Sequence, residues 1–262
     1  IAFIGKFAEK PRFQGGGSSH INSFKVTSAL DAVKKYADVS YAQGYDVKED
    51  KVDEAMFAEA VETAEHADIA VVFAGLPDAF ESEGYDREHM RMPECQNRLI
   101  AEIVKVQPNT VVVLHNGSPV EMPWADDVRG ILESYLCGQA VGEAQADILF
   151  GRANPCGKLA ETVPYKLSDN PSYLNFPGDG KTVEYREGVF VGYRYYDTKE
   201  MAVRYPFGYG LSYTTFEYSD LKLSAKEIKD TDTLTVSLKV KNTGSMAGKE
   251  IVQLYVADKT NA

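Results

Sequence analysis

Three short runs, Ile1-Ala-Phe-Ile-Gly5, Asp68-Ile-Ala-Val-Val-Phe-Ala-Gly75 and Thr110-Val-Val-Val-Leu114, are apolar, rich in β-forming residues and bounded by glycine or turn residues. They read as buried strands. Helix-patterned stretches separate them. Asn22 to Tyr36 offers Phe24, Ala29, Leu30 and Val33 as its apolar positions, and Asp50 to His66 offers Val52, Ala55, Ala58, Ala60, Val61 and Ala64. Pro93 and Glu94 open another helical pattern towards Val104, over 94–106. Weaker strands are expected at Asp38 to Tyr41, at Gly130 to Tyr135 and, as a sixth, around Leu159 to Thr162; Gly138 to Phe150 reads as a helix closed by Gly151. Strands alternating with helices over residues 1–165 predict an α/β fold on a mostly parallel sheet.

After Pro164 the texture changes. Residues 166–212 are rich in Tyr, Gly, Pro and Asn and too long for an ordinary loop, so they are expected to form an extended connector. From 213 to 262 the pattern is all-β. Thr215 to Tyr218, Leu234 to Val240 and Glu250 to Val256 alternate apolar with polar, and Asn242-Thr-Gly-Ser245 is read as a hairpin turn. These are the opening strands of a β-sandwich, fewer than such a fold requires. The chain starts inside a strand without Met and ends in a β pattern, so a piece of a longer protein is expected.

Lys and Arg number 28 against 39 Asp and Glu, a net charge of -11 that repels phosphate backbones; no nucleic-acid partner is expected. No apolar run approaches about 18 residues, so no membrane-spanning helix is expected. Three cysteines, Cys95, Cys137 and Cys156, lack CxxC spacing and read as buried thiols of a reducing compartment, with a bacterial cytoplasmic location expected and secretion as the alternative. His89 and Cys95 lack further ligands at sensible spacing, so neither a metal nor any cofactor is expected. The Asn116-Gly-Ser118 triplet matches a glycosylation acceptor, a pattern common by chance.

Chemistry concentrates in Phe80-Glu-Ser-Glu-Gly-Tyr-Asp-Arg-Glu88, on the loop after the strand that ends at Gly75, where open α/β sheets place their sites. Most carboxylates in such a run are solvated. Glu83 stands out because Gly84 lets the chain turn sharply beside it, while Asp86 and Arg87 suit loop support. Gly15-Gly16-Gly17-Ser18-Ser19 lacks both the P-loop and the dinucleotide spacing, and reads as a loop allowing close backbone approach. Its Ser18, Ser19 and His20 suit a polyol.

These segments, followed by Asn116-Gly-Ser-Pro-Val120, Gly138-Gln139, Asp147-Ile-Leu-Phe-Gly151, Asn154-Pro-Cys-Gly-Lys-Leu159, Val191-Gly-Tyr-Arg-Tyr-Tyr196 and Pro206-Phe-Gly-Tyr-Gly-Leu-Ser-Tyr213, resemble in order the C-terminal half of glycoside hydrolase family 3 β-glucosidases. The resemblance implies a six-stranded (α/β)6 sandwich over 1–165, the connector 166–212, and a truncated fibronectin-III-like domain over 213–262. It also implies a (β/α)8 barrel of the same enzyme as partner, carrying the nucleophilic aspartate, and a β-glucoside or oligosaccharide as substrate; it allows a homo-oligomer. By the same resemblance Glu83 is the acid/base, and Gly17, Ser18, Ser19 and Tyr85 contact substrate, with Asp86 and Arg87 supporting the loop. The implied reaction is retaining hydrolysis of terminal β-D-glucosides. A β-xylosidase or other exo-acting β-glycosidase, or a non-catalytic carbohydrate-binding fragment, are the alternatives. For that reaction the pKa of Glu83 should be raised by apolar surface and by neighbours such as Glu81. Arg87 should bind Asp86 or backbone, and the chain alone should be inactive.

Overall fold

The computed structural model describes residues 1–257. Five strands form one parallel sheet: β1 (Ala2–Ile4), β2 (Ser40–Ala42), β3 (Ala70–Gly75), β4 (Thr110–His115) and β5 (Gly130–Glu133). Their spatial order is β2-β1-β3-β4-β5. Register runs from Ala2 opposite Ser40 on one side and Ala70 on the other, through Ala70 opposite Thr110, to Val111 opposite Gly130. Every residue of β1 and β3 is buried, as continuous apolar runs covered on both faces must be, whereas β2 and β5 at the edges are only partly covered.

Helices cover the faces: α1 (Lys6–Glu9), α2 (Ala29–Ala32), α3 (Glu54–Glu65), α4 (Glu94–Val106) and α5 (Val141–Leu149). Asp53 starts α3 by accepting from the Ala55 and Met56 amides at 3.0 and 3.1 Å. Pro93 offers α4 no side-chain acceptor, so Asp50 caps it from a distance, accepting from Glu94 and Cys95 amides at 2.8 Å each. Leu99, Ile100 and Ile103 of α4 are fully buried in the same core as Phe3, Ile4, Phe73 and Leu114, each contributing about 1.5–3 kcal/mol of transfer free energy.

Several expected elements differ. The helix expected over Asn22–Tyr36 begins only at Ala29, where the Ser28 hydroxyl accepts from the Asp31 amide, and ends in a 3-10 turn over Val33–Lys35; Phe24 is 97% exposed rather than in the core. In α3, Ala55 and Ala58 face solvent, and the apolar stripe narrows to Phe57, Ala60 and Ala64. The sheet has five strands. Residues 159–163, where a sixth was expected, instead hydrogen-bond antiparallel to 204–209: Leu159 N to Tyr209 O at 2.8 Å and Val163 N to Tyr205 O at 2.8 Å. Within 166–212 lies an unexpected helix, α6 (Tyr193–Thr198).

Two further strands, β6 (Phe216–Leu223) and β7 (Val236–Asn242), pair antiparallel. Glu250 to Val256 forms no strand, and Asn242-Thr-Gly-Ser245 closes no hairpin with it; the Asn242 side chain instead accepts from Thr214 and the Gly244 amide. The expected boundary at 262 lies outside the described residues. Of the cysteines only Cys95 is buried; Cys137 is exposed and Cys156 half-buried, and all three are free thiols.

Candidate active site at the strand-order reversal

The chain runs from β1 outward to β2, then crosses back to lay β3 on the other side of β1. Loops leaving β1 and β3 therefore diverge at their carboxyl ends and open a crevice, the position where open α/β sheets bind ligands. The glycine-rich loop leaves β1 and the acidic loop leaves β3, so both chemistry-bearing segments meet there.

Their contact explains the glycines. Gly17 adopts φ +67°, and a Cβ there would overlap the Glu83 side chain; a Cβ on Gly16 would overlap Ser82 Oγ. The backbone can then present the Ser18 amide, inside a 3-10 turn over Gly17–Ser19, to Glu83 Oε2 at 2.5 Å. Glu83 is exposed, and the Ser18 amide, followed by the Ser18 hydroxyl, holds its carboxyl below the ordinary glutamate value. The direction is opposite to the one expected from the sequence, because among the described residues no apolar surface covers the group and an N–H donor stabilises its charged form.

Glu81 also departs from expectation. It is a clamp, not a repulsive neighbour. Its carboxylate accepts from Arg12 Nη1 at 2.5 Å, from the Gly117 amide at 2.7 Å and from Ser118 Oγ. Burial opposes its ionisation, but the Ser118, Arg12 and Gly117 donors outweigh burial and hold it below the usual range. Arg87 turns away from Asp86 and donates to Ser118 Oγ at 2.8 Å and Pro119 O at 3.0 Å. The acidic loop is thus stapled to the β4 loop on both sides of Glu83.

The other named residues sit around this frame. Ser18 is exposed; Ser19 Oγ donates to Gly16 O at 2.9 Å, tightening its own loop. Tyr85 is 48% exposed and donates its hydroxyl to Asp78 O at 2.7 Å, while Asp86 is exposed. Asn116 of the glycosylation-like triplet is buried and donates to Ser118 O and Glu133 Oε2.

Sequence reasoning missed Arg12, His115 and Glu133. Arg12 and His115 are buried, and the His115 ring bonds the Arg12 carbonyl through Nδ1 at 3.1 Å. Burial pulls His115 down to about 4, against the Arg12 carbonyl, so the ring is neutral with its proton on Nδ1; Nε2 then accepts from Gln145 at 2.9 Å. Glu133 ends β5, and burial raises its pKa to about 7 against the Tyr135 and Asn116 donors. Tyr135 takes φ +47°, sparsely populated for a non-glycine residue, and donates to Glu161 Oε1 at 3.1 Å. None of these carries a local signal, because partners of each lie far along the chain: Leu76, Asp78 and Glu81 for Arg12, Arg12 and Gln145 for His115, Asn116 for Glu133. Among the described residues no three His, Cys, Asp or Glu side chains converge as a metal centre requires, and no helix is long and apolar enough to cross a membrane.

Known proteins are similar to this chain in sequence and fold. The glycosyl hydrolase family 3 C-terminal domain matches residues 1–213. The thermostable beta-glucosidase B of Acetivibrio thermocellus is 58% identical over 262 residues, covering 98% of this chain and 35% of that protein. An exo-alpha-(1->6)-L-arabinopyranosidase of Bifidobacterium longum is 48% identical over 258 residues, covering 98% and 34%. The crystal structure of a Bifidobacterium adolescentis family 3 beta-glucosidase superposes with a TM-score of 0.88 at 48% identity, over 93% of this chain and 36% of that one. The chain thus spans about a third of the length of the curated relatives it matches. With the family model covering most of its length and the parallel sheet and both crevice loops in place, the chain belongs to glycosyl hydrolase family 3, whose C-terminal domain it carries.

Proposed function

We propose that this chain is the acid/base half of a retaining β-glucosidase. Glu83 protonates the leaving oxygen in the first step and deprotonates water in the second. The observation that carries the reading is the placement of the exposed Glu83 carboxylate where the acidic loop meets the glycine-rich loop at Ser18, on a loop fixed at Glu81 and Arg87. The carboxylates behind it are otherwise engaged: Glu81 by Arg12, Glu133 and Glu161 by burial. The nucleophile therefore comes from polypeptide outside this chain, in keeping with relatives about three times its length. Docking of that polypeptide, expected to be the barrel, is what must desolvate Glu83 and lift its pKa to that of a general acid.

Relatives named as a beta-glucosidase and as an exo-alpha-(1->6)-L-arabinopyranosidase each match 98% of this chain. That observation favours a second reading of the sugar alone: glycone choice lies outside these residues, and leaving-group chemistry lies within them. Gly17, Ser18, Ser19 and Tyr85 border the substrate, with Asp86 at the loop surface.

The test uses the full-length enzyme. In Glu83→Ala, kcat/KM for a methyl β-glucoside should fall by about 10²–10⁴, while that for a 2,4-dinitrophenyl β-glucoside, which needs no protonation, is largely kept. Azide should restore turnover and give a β-glycosyl azide. Unimpaired hydrolysis of the methyl glucoside would sink the assignment.

A further inference from the structure

Glu83 itself is held by Ser18, so its position depends on the root of its loop. That root is gripped by one side chain. Arg12 donates through Nη1 to Leu76 O at 3.0 Å and to Glu81 Oε2 at 2.5 Å, through Nη2 to Glu81 O at 2.9 Å, and through Nε to Asp78 Oδ1 at 3.0 Å. A single planar guanidinium thus spans the turn from β3 to the residue two before Glu83, satisfying two carbonyls and two carboxylates. Its side chain is 5% exposed, so these bonds face little competition from water.

The grip is itself referenced to the sheet. The Arg12 carbonyl accepts from neutral His115 at the end of β4, and His115 is held by Gln145 of α5. Arg12 also belongs to the loop that carries Gly17 and Ser18. The segment that meets the Glu83 carboxylate therefore also sets where that carboxylate starts.

We infer that Arg12 is a positioning residue for Glu83, fixing the distance and angle at which the acid meets the glycosidic oxygen. The inference rests on Glu83 being the acid/base. A residue that only stabilised the fold would lower every activity in proportion to the folded enzyme lost. A residue that positions the acid lowers activity only where protonation is needed, and an error near 1 Å is enough for about 10²-fold.

The experiment compares Arg12→Met, Arg12→Lys, Glu83→Gln and the Arg12→Met/Glu83→Gln double variant in the full-length enzyme, with thermal unfolding of each. kcat/KM, which reports the glycosylation step, is measured for phenyl and 2,4-dinitrophenyl β-glucosides. Expected for Arg12→Met is a loss of about 10²-fold on the phenyl glucoside and under about threefold on the dinitrophenyl one, with no further loss in the double variant beyond Glu83→Gln alone. Arg12→Lys keeps the charge but loses the fork, and gives the same leaving-group split if the Met variant does not fold. Equal losses on both substrates, additive losses in the double variant, or failure of both single Arg12 variants to fold would overturn the inference. If Glu83→Gln itself shows no leaving-group dependence, the acid/base assignment has failed instead, and the Arg12 inference falls with it.

Discussion

Glu133 at the end of β5 titrates near 7 because burial disfavours its charge, with Glu161 and Glu81 adding repulsion against the Tyr135 and Asn116 donors. A folded-state pKa raised above the unfolded value contributes stability that is complete below the unfolded pKa of about 4.5 and is lost as pH rises through about 7. The unfolding temperature of the chain should therefore decline from pH 5 to pH 8, and Glu133→Gln should flatten that decline; an unchanged slope in the variant would exclude Glu133 as its source. Glu81 has the opposite sign. Its depressed pKa contributes stability above the ordinary carboxylate range that is lost as pH falls through and below it. Glu83 is also depressed, so in the isolated chain its NMR titration midpoint should lie below 4.5, with the Ser18 amide proton shifting in step. Glu83 was legible in the sequence because the loop that carries it follows a strand and forms part of an ordered set of motifs. Its charge state was not, because the donor that sets it lies 65 residues away. Arg12 was invisible for the same reason, with its side-chain partners 64 to 69 residues distant.

Close approach between elements leaves several glycines no room for a side chain, Gly142 and Gly17 among them. In α5, a Cβ on Gly142 would sit 2.8 Å from Ser28 N and closer still to the Ser28 carbonyl, backbone that cannot swing away. Gly142→Ala should lower stability by about 1–3 kcal/mol through overpacking, read as a drop in unfolding temperature at constant pH. Gly17→Ala acts differently: φ +67° and the overlap with Glu83 should displace the acid while costing the sheet little. In the full-length enzyme its activity on phenyl β-glucosides should fall far more than its unfolding temperature, and parallel falls would show that the loop matters only for folding. α3, with its Asp53 cap, and α4, with its long apolar periodicity, were readable within a few residues. The segment Asn22–Tyr36 was not, because its apolar positions fit a helical spacing although Phe24 is 97% exposed.

At the scale of the whole molecule, the parallel sheet followed directly from alternating strand and helix signals, but its strand count did not. Leu159 to Val163 has the composition of a strand, and only its hydrogen bonds to 204–209, far along the chain, decide that it forms an antiparallel ribbon apart from the parallel sheet. The purified 262-residue chain, carrying the proposed acid/base without the nucleophile, should give no hydrolysis of an aryl β-glucoside above the uncatalysed rate; measurable turnover abolished by Glu83→Gln would show that the second carboxylate lies within it. The strand-order reversal carries a consequence for how such an enzyme changes over generations. Residues 16–18 are locked against Ser82 and Glu83, and Glu81 is held by Arg12 and Gly117, so mutation there disturbs several contacts at once. Tyr85, Asp86 and Glu88 are exposed, whereas Gly84 at φ +96° must stay glycine. Directed evolution for new aglycones would therefore find its tolerant positions on the far lip of the acidic loop, a hand's breadth of sequence that can drift while the acid stays in place.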